Sequence, residues 1–97
     1  MPKRDLVNRH REEILALAAK FEIESIKLFG SVARGDERPD SDIDFLVRRK
    51  PGSDPFFMLD LKEGLEALLG CKIDLITDQP LMRARLRGSI ERDLVPL

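Results

Sequence analysis

Three short apolar segments, separated by helical patterns, constrain the fold more than any other feature of this sequence. The segments are 25–29, 42–47 and 72–76, and their length and apolar content are typical of β-strands. Strands that alternate with helices indicate a layered fold in which at least some strands pair in parallel. We therefore predict an α/β fold of the α+β kind, with a small mixed β-sheet flanked by helices. At this length we expect residues 1–97 to form a single domain.

The helical segments are indicated by apolar spacing and by capping residues. Apolar residues recur every three or four positions over 5–21, which predicts one amphipathic helix there. A short helical turn is expected over 32–34. A longer helix should begin near Asp54, which can cap it, and end at Gly70, the residue type that most often terminates helices.

The last segment, 81–97, carries four arginines among leucines. Its pattern predicts a helix interrupted near Gly88. Two interpretations stay open for this segment: a surface helix that closes the core, or a surface that binds a partner protein.

Composition excludes several classes of protein. Charged residues make up 36% of the chain with a net charge of −1, so we expect no direct binding of nucleic acid through bulk electrostatics. The longest wholly apolar stretch is 14–19, far short of the ~20 residues that a membrane span needs, and we expect no export signal. Cys71 is the only cysteine, which argues against disulfides and cysteine-based zinc sites and favours a reducing cytoplasm.

Two aspartates at the start of the second strand indicate a metal site. Alternate residues of a strand point to the same face, so Asp42 and Asp44 should lie about 7 Å apart on one face. Two carboxylates so placed repel each other unless a cation lies between them, and oxygen ligands suit Mg²⁺ or Mn²⁺. Asp74 is the one acidic residue inside the third strand, and it would join the pair if the two strands are neighbours.

The turn that follows the first strand is suited to an anion. Gly30 permits close approach of the backbone, and the free N–H groups at the start of the next helical turn, with the Ser31 hydroxyl, could hold a phosphate. Arg34 lies one turn further and can add a charge-assisted contact. Asp36 is close enough in sequence to orient this arginine.

Each of these residues also has a plain structural interpretation. Asp42 and Asp44 could be solvated acids at a strand end, Asp74 an edge-strand acid, and Arg34 a surface charge. The combination of an acid pair with a phosphate-binding turn favours the functional interpretation, because transfer of a nucleotidyl group needs both.

The residues just described resemble a known signature. Gly30-Ser31, ten residues, and then Asp42-Ile43-Asp44 are similar to the motif of the polymerase-β-like nucleotidyltransferase superfamily. The surrounding residues resemble the minimal nucleotidyltransferases within it. The resemblance implies that Asp42, Asp44 and Asp74 are the catalytic and metal-binding residues, and that they hold two Mg²⁺ ions. It also implies that Gly30, Ser31 and Arg34 bind the triphosphate of ATP.

The resemblance further implies a partner. Proteins of this kind are usually found beside a helical HEPN-domain toxin, and they act as antitoxins by transferring AMP from ATP to a toxin tyrosine. A hetero-oligomer with the toxin is therefore expected. The chain has no tyrosine of its own, so a tyrosyl acceptor must lie in another molecule. The alternative is a non-catalytic module that neutralises the toxin by contact alone.

Overall fold

The computed structural model describes residues 2–78 and 94–97. Within these residues the chain forms four helices and four strands. In chain order they are α1 (Lys3–Arg9), α2 (Arg11–Lys20), β1 (Ile23–Phe29), α3 (Gly30–Arg34), β2 (Ile43–Arg49), α4 (Phe57–Leu69), β3 (Ile73–Thr77) and β4 (Val95–Pro96).

The described strands form one four-stranded sheet in the order β3-β2-β1-β4. β2 is antiparallel to β1 and parallel to β3, and β1 is antiparallel to β4. The crossover through α4 makes the β2–β3 pair parallel, as a strand–helix–strand connection generally does. The predicted mixed sheet flanked by helices is confirmed, and all three predicted strands are present.

One face of the sheet packs against the helices and forms the core. The register aligns Leu28 of β1 with Phe45 of β2 and Phe45 with Leu75 of β3. Phe45 is fully buried and packs in a cluster that includes Ile14 of α2 and Leu65 of α4. Because successive side chains of a strand alternate between faces, Asp44 points to the opposite face from Phe45.

The prediction of a single helix over 5–21 is wrong. The structure has two helices, α1 and α2, that meet at His10. The apolar spacing is maintained across the break, since Val7 and Ile14 are both fully buried. Residues at the start of α1 bond to segments more than 25 positions away, described below.

The boundaries of α4 were partly predicted. Asp54 accepts a hydrogen bond from the Phe56 N–H at 2.9 Å, so it caps the turn that leads into the helix, and the helix itself begins at Phe57. Gly70 ends the helix in the left-handed conformation, with φ at 68°, as its residue type predicts.

Most of the helix predicted over 81–97 lies outside the described residues. Where its end is described, the prediction is wrong: Val95 and Pro96 pair with Leu28 and Lys27 as β4, and the Leu97 N–H donates to the Ile26 carbonyl at 3.3 Å. The exposed edge of β1 explains this pairing, since its backbone groups need partners. No helix in the described parts of the chain has the length and apolarity to cross a membrane.

The central strand should dominate stability. Phe45 is completely buried, whereas Phe56 is 76% exposed. We expect Phe45→Ala to lower the free energy of unfolding by about 3–5 kcal/mol, the usual cost of removing a buried phenyl ring. The matched control Phe56→Ala should cost less than about 0.5 kcal/mol. Urea denaturation followed by circular dichroism measures both, and equal losses would contradict this account of the core.

Candidate active site

Asp44 lies between two other strands on the face of the sheet opposite the core. The register pairs it with Phe29, the last residue of β1, and with Asp74 of β3. Paired residues of adjacent strands point to the same face, with strands roughly 4.8 Å apart. Asp74 was expected to join the aspartate pair if its strand lay beside the strand of Asp44. β3 is the neighbour of β2, so the Asp44 and Asp74 carboxylates are adjacent.

Asp42 immediately precedes β2 and is exposed, whereas Asp44 is half-buried. Burial, together with the charges of Asp74 and Asp42, raises the pKa of Asp44 from 3.8 to about 6, and the nearby Arg34 guanidinium partly opposes this. All three aspartates predicted from sequence are thus close enough to interact, with Asp44 at the centre.

The donor set has the chemistry of a divalent-cation site. Among the described residues, no three His, Cys, Asp or Glu side chains are already gathered into a complete metal site. Carboxylate oxygens are nevertheless the ligands that Mg²⁺ prefers, and a cation would offset the repulsion that raises the pKa of Asp44. The three aspartates therefore fit a hard divalent cation by charge and ligand type.

Gly30 connects the acidic residues to the turn after β1. Its φ is +77°, a conformation that favours glycine, and a Cβ at this position would overlap the Asp44 Oδ2 atom. The backbone of the Gly30-Ser31 turn therefore runs directly against the Asp44 carboxylate. This contact is the physical reason why a glycine is needed at a fixed distance before the aspartate pair.

Ser31 and Arg34 lie at the two ends of α3. Ser31 is in its first turn, where backbone N–H groups have no partner within the helix, and α3 has no side-chain N-cap. Arg34 is the last residue, and its Nε donates to Asp36 Oδ2 at 3.2 Å. The contact between Arg34 and Asp36, which the sequence left open, is present. The binding of phosphate by Gly30, Ser31 and Arg34 stays a prediction.

Two residues near the site were missed from sequence. Lys3 donates through Nζ to the backbone carbonyl of Pro39 at 3.1 Å, and Arg4 donates through Nη1 to that of Ala33 at 3.1 Å. No local pattern marks either residue, because their partners are 36 and 29 positions away.

Comparison with known proteins agrees with this geometry. The family model "Polymerase beta, Nucleotidyltransferase" matches residues 12–92. A Methanocaldococcus jannaschii protein with the provisional name protein adenylyltransferase is 38% identical over 94 residues, covering 95% of this chain and 91% of its own. Protein adenylyltransferase MntA of Thermococcus cleftensis is 32% identical over 90 residues, covering 93% and 83%.

Solved structures show the same fold. One described provisionally as a minimal nucleotidyltransferase is 36% identical, with a TM-score of 0.80 and coverage of 97% of this chain and 95% of its own. A chain from the complex of the tri-AMPylated Shewanella oneidensis HEPN toxin with its MNT antitoxin is 18% identical, with a TM-score of 0.63 and coverage of 92% and 69%. At that identity the second likeness concerns the fold alone.

The fold and the acidic site thus define a nucleotidyltransferase. The chain belongs to the polymerase beta nucleotidyltransferase family, and the resemblance to the minimal nucleotidyltransferases within it is confirmed.

The contact between Gly30 and Asp44 can be tested against a second glycine. Gly52 has φ at +80° but has open space around a Cβ. Replacement of either glycine by alanine carries the left-handed penalty of about 1–2 kcal/mol. We expect Gly30→Ala to lower the free energy of unfolding by more than Gly52→Ala, because it must also displace the Asp44 carboxylate. Urea denaturation of both variants measures the difference, and equal losses would contradict the contact.

The raised pKa of Asp44 predicts a pH dependence of stability. The pKa is about 6 in the folded protein against an ordinary 3.8, so between these values the folded state binds the proton more readily than the unfolded state. Metal-free protein should therefore lose stability through this group as the pH rises from about 4 to about 6. Asp44→Asn removes the titration, so its stability relative to the wild type should rise across this window and level off above it.

Urea denaturation in a chelator at several pH values measures this difference. The exposed Asn8 on α1 supplies the control, since Asn8→Ala changes no ionisable group and should keep a constant offset from the wild type. An Asp44→Asn offset that is equally constant with pH would refute the assignment.

Proposed function

We propose that this protein transfers AMP from ATP to a tyrosine of a HEPN toxin, and so acts as its antitoxin. The observation that carries the proposal is the register that places Asp44 beside Asp74, with the Gly30 backbone against Asp44. Acidic ligands and phosphate-facing N–H groups then share one small area. The names of the protein adenylyltransferase relatives support the reaction, and the fold shared with the HEPN–MNT complex supports the partner.

Asp42, Asp44 and Asp74 would hold two Mg²⁺ ions, as the resemblance to the minimal nucleotidyltransferases implies. When bound, Mg²⁺ shields the charge of the α-phosphate and steadies the leaving pyrophosphate. The half-buried position of Asp44 strengthens its attraction for a cation, because charges interact more strongly away from bulk water.

The chain's own residues position the nucleotide and move the proton. The N–H groups of Gly30 and Ser31 would donate to phosphate oxygens, and Arg34 would add a charged contact. The tyrosine oxygen forms a bond to the α-phosphorus, and the bond from that phosphorus to the bridging oxygen breaks, so that pyrophosphate leaves. Asp74 would accept the proton of the attacking hydroxyl.

The acceptor must come from a second molecule. The 97 residues contain no tyrosine, so tyrosyl self-modification is impossible. We place the reaction in the cytoplasm, where ATP and a newly made toxin are both available, and we propose that residues 1–97 act as a single domain.

Transfer of label tests the reaction directly. The protein is incubated with Mg²⁺, ATP labelled at the α-phosphate, and the product of the neighbouring gene. We expect label on the partner's tyrosine, and its loss in Asp42→Asn and Asp44→Asn. Asp74→Asn should slow transfer by about 10²–10⁴-fold, the usual contribution of a general base. Asp60→Asn on α4 serves as the matched control and should retain the wild-type rate.

The same experiment decides between modification and simple contact. If the partner's ribonuclease activity is fully neutralised without label, and the three aspartate variants neutralise it equally well, the transferase proposal is wrong. In that case the protein would act as a non-catalytic binding module.

A further inference from the structure

Lys3 ties the start of α1 to the loop between α3 and β2. Its ammonium group donates to the backbone carbonyls of Pro39 at 3.1 Å and Ser41, and lies 3.5 Å from that of Arg38. The Glu37 carboxylate in turn accepts the Lys3 backbone N–H at 3.0 Å. An ammonium has three donors, and here they are directed at the loop backbone rather than at a side chain.

This loop determines where Asp42 lies. Asp42 follows Ser41 directly and precedes β2, so it is outside the hydrogen-bonded strand that holds Asp44. Within the loop, the Ser41 N–H donates to the Arg38 carbonyl at 2.9 Å and the Arg38 N–H donates to Ser41 Oγ at 2.8 Å. These bonds shape the turn, and Lys3 anchors it to the rest of the molecule.

The adjacent residue Arg4 holds the other half of the site. Its Nη1 donates to the Ala33 carbonyl at 3.1 Å, and Ala33 belongs to α3, the helix that begins with Gly30 and Ser31. Two consecutive side chains of α1 therefore bond to the loop that precedes Asp42 and to the helix that begins with Gly30 and Ser31.

The charge of Lys3 also reaches the neighbourhood of Asp42. Burial raises the pKa of the Cys71 thiol, Lys3 lowers it, and Asp42 raises it. The half-buried Cys71 thiol is thus within electrostatic range of both the Lys3 ammonium and the Asp42 carboxylate.

We propose that Lys3 is a positioning residue that holds Asp42 in place for the divalent cation. The inference rests on the proposed function, because it assumes that Asp42 is a metal ligand. Hydrogen bonds from neighbouring groups fix the orientation of metal ligands. Lys3 acts one step further out, on the Pro39 and Ser41 carbonyls, and the Ser41 carbonyl belongs to the peptide group that joins Ser41 to Asp42.

The test uses Mn²⁺ as the probe and the protein without nucleotide. Lys3→Met removes the donors at similar side-chain length, Lys3→Arg restores donors, and Lys50→Met removes an exposed lysine at the opposite end of β2. Mn²⁺ affinity is measured by electron paramagnetic resonance, and loop order by hydrogen exchange of the amides of 36–41. Melting temperature and the exchange of the core strands report general folding.

We expect Lys3→Met to weaken Mn²⁺ binding by about 10–100-fold, the usual effect of removing a group that orients a ligand. Exchange in 36–41 should become faster while exchange in β1 and β2 stays unchanged. Lys3→Arg should recover most of both properties, and Lys50→Met should match the wild type.

Several outcomes would overturn the proposal. Unchanged Mn²⁺ affinity or unchanged loop exchange in Lys3→Met would show that Lys3 does not position Asp42. Faster exchange throughout the chain, without rescue by Lys3→Arg, would show a general structural role instead. If the wild type binds no Mn²⁺, the metal site of the proposed function fails and the inference fails with it. Mn²⁺ binding by the wild type that is unaltered in Lys3→Met overturns the inference alone.

Discussion

The site depends on the pairing register of β2, the strand between β1 and β3. That register aligns Phe29, Asp44 and Asp74 across three strands. A shift of one residue would turn Asp44 into the core and Phe45 away from it, because side chains alternate between faces. The fully buried Phe45 therefore also secures the position of the carboxylate next to it in sequence.

The two faces of β2 have opposite effects on the stability of the fold. Burial of apolar side chains on one face stabilises the fold. On the other face, the burial of Asp44 and its repulsion by Asp74 and Asp42 oppose it, as the raised pKa of Asp44 shows. A small domain has one modest core with which to offset this repulsion. A bound cation would relieve part of it. Close approach of the Gly30 backbone adds to the crowding, and only a residue without a side chain allows it.

Much of the site could be predicted because its chemistry is local in sequence. The spacing of Asp42 and Asp44, the acid within the 72–76 strand and the glycine that ends the first strand each follow from strand periodicity and backbone freedom. The break at His10 and the pairing of Val95 with Leu28 could not be predicted. Local spacing permits a continuous helix in both places, and the pairing of Val95 depends on hydrogen bonds to a distant strand.

The sequence by itself determined which residues are candidates for the site: the three aspartates and the Gly30-Ser31 turn. Tertiary structure alone decided that β3 lies beside β2, which brings Asp74 to Asp44. It also decided that Lys3 and Arg4 bond to the distant backbone carbonyls of Pro39 and Ala33. The physical reason is that the alternation of side chains along a strand, the capping of a helix and the repulsion between nearby charges involve residues only a few positions apart. Strand pairing and side-chain bonds to a distant backbone form only when the core brings those segments together.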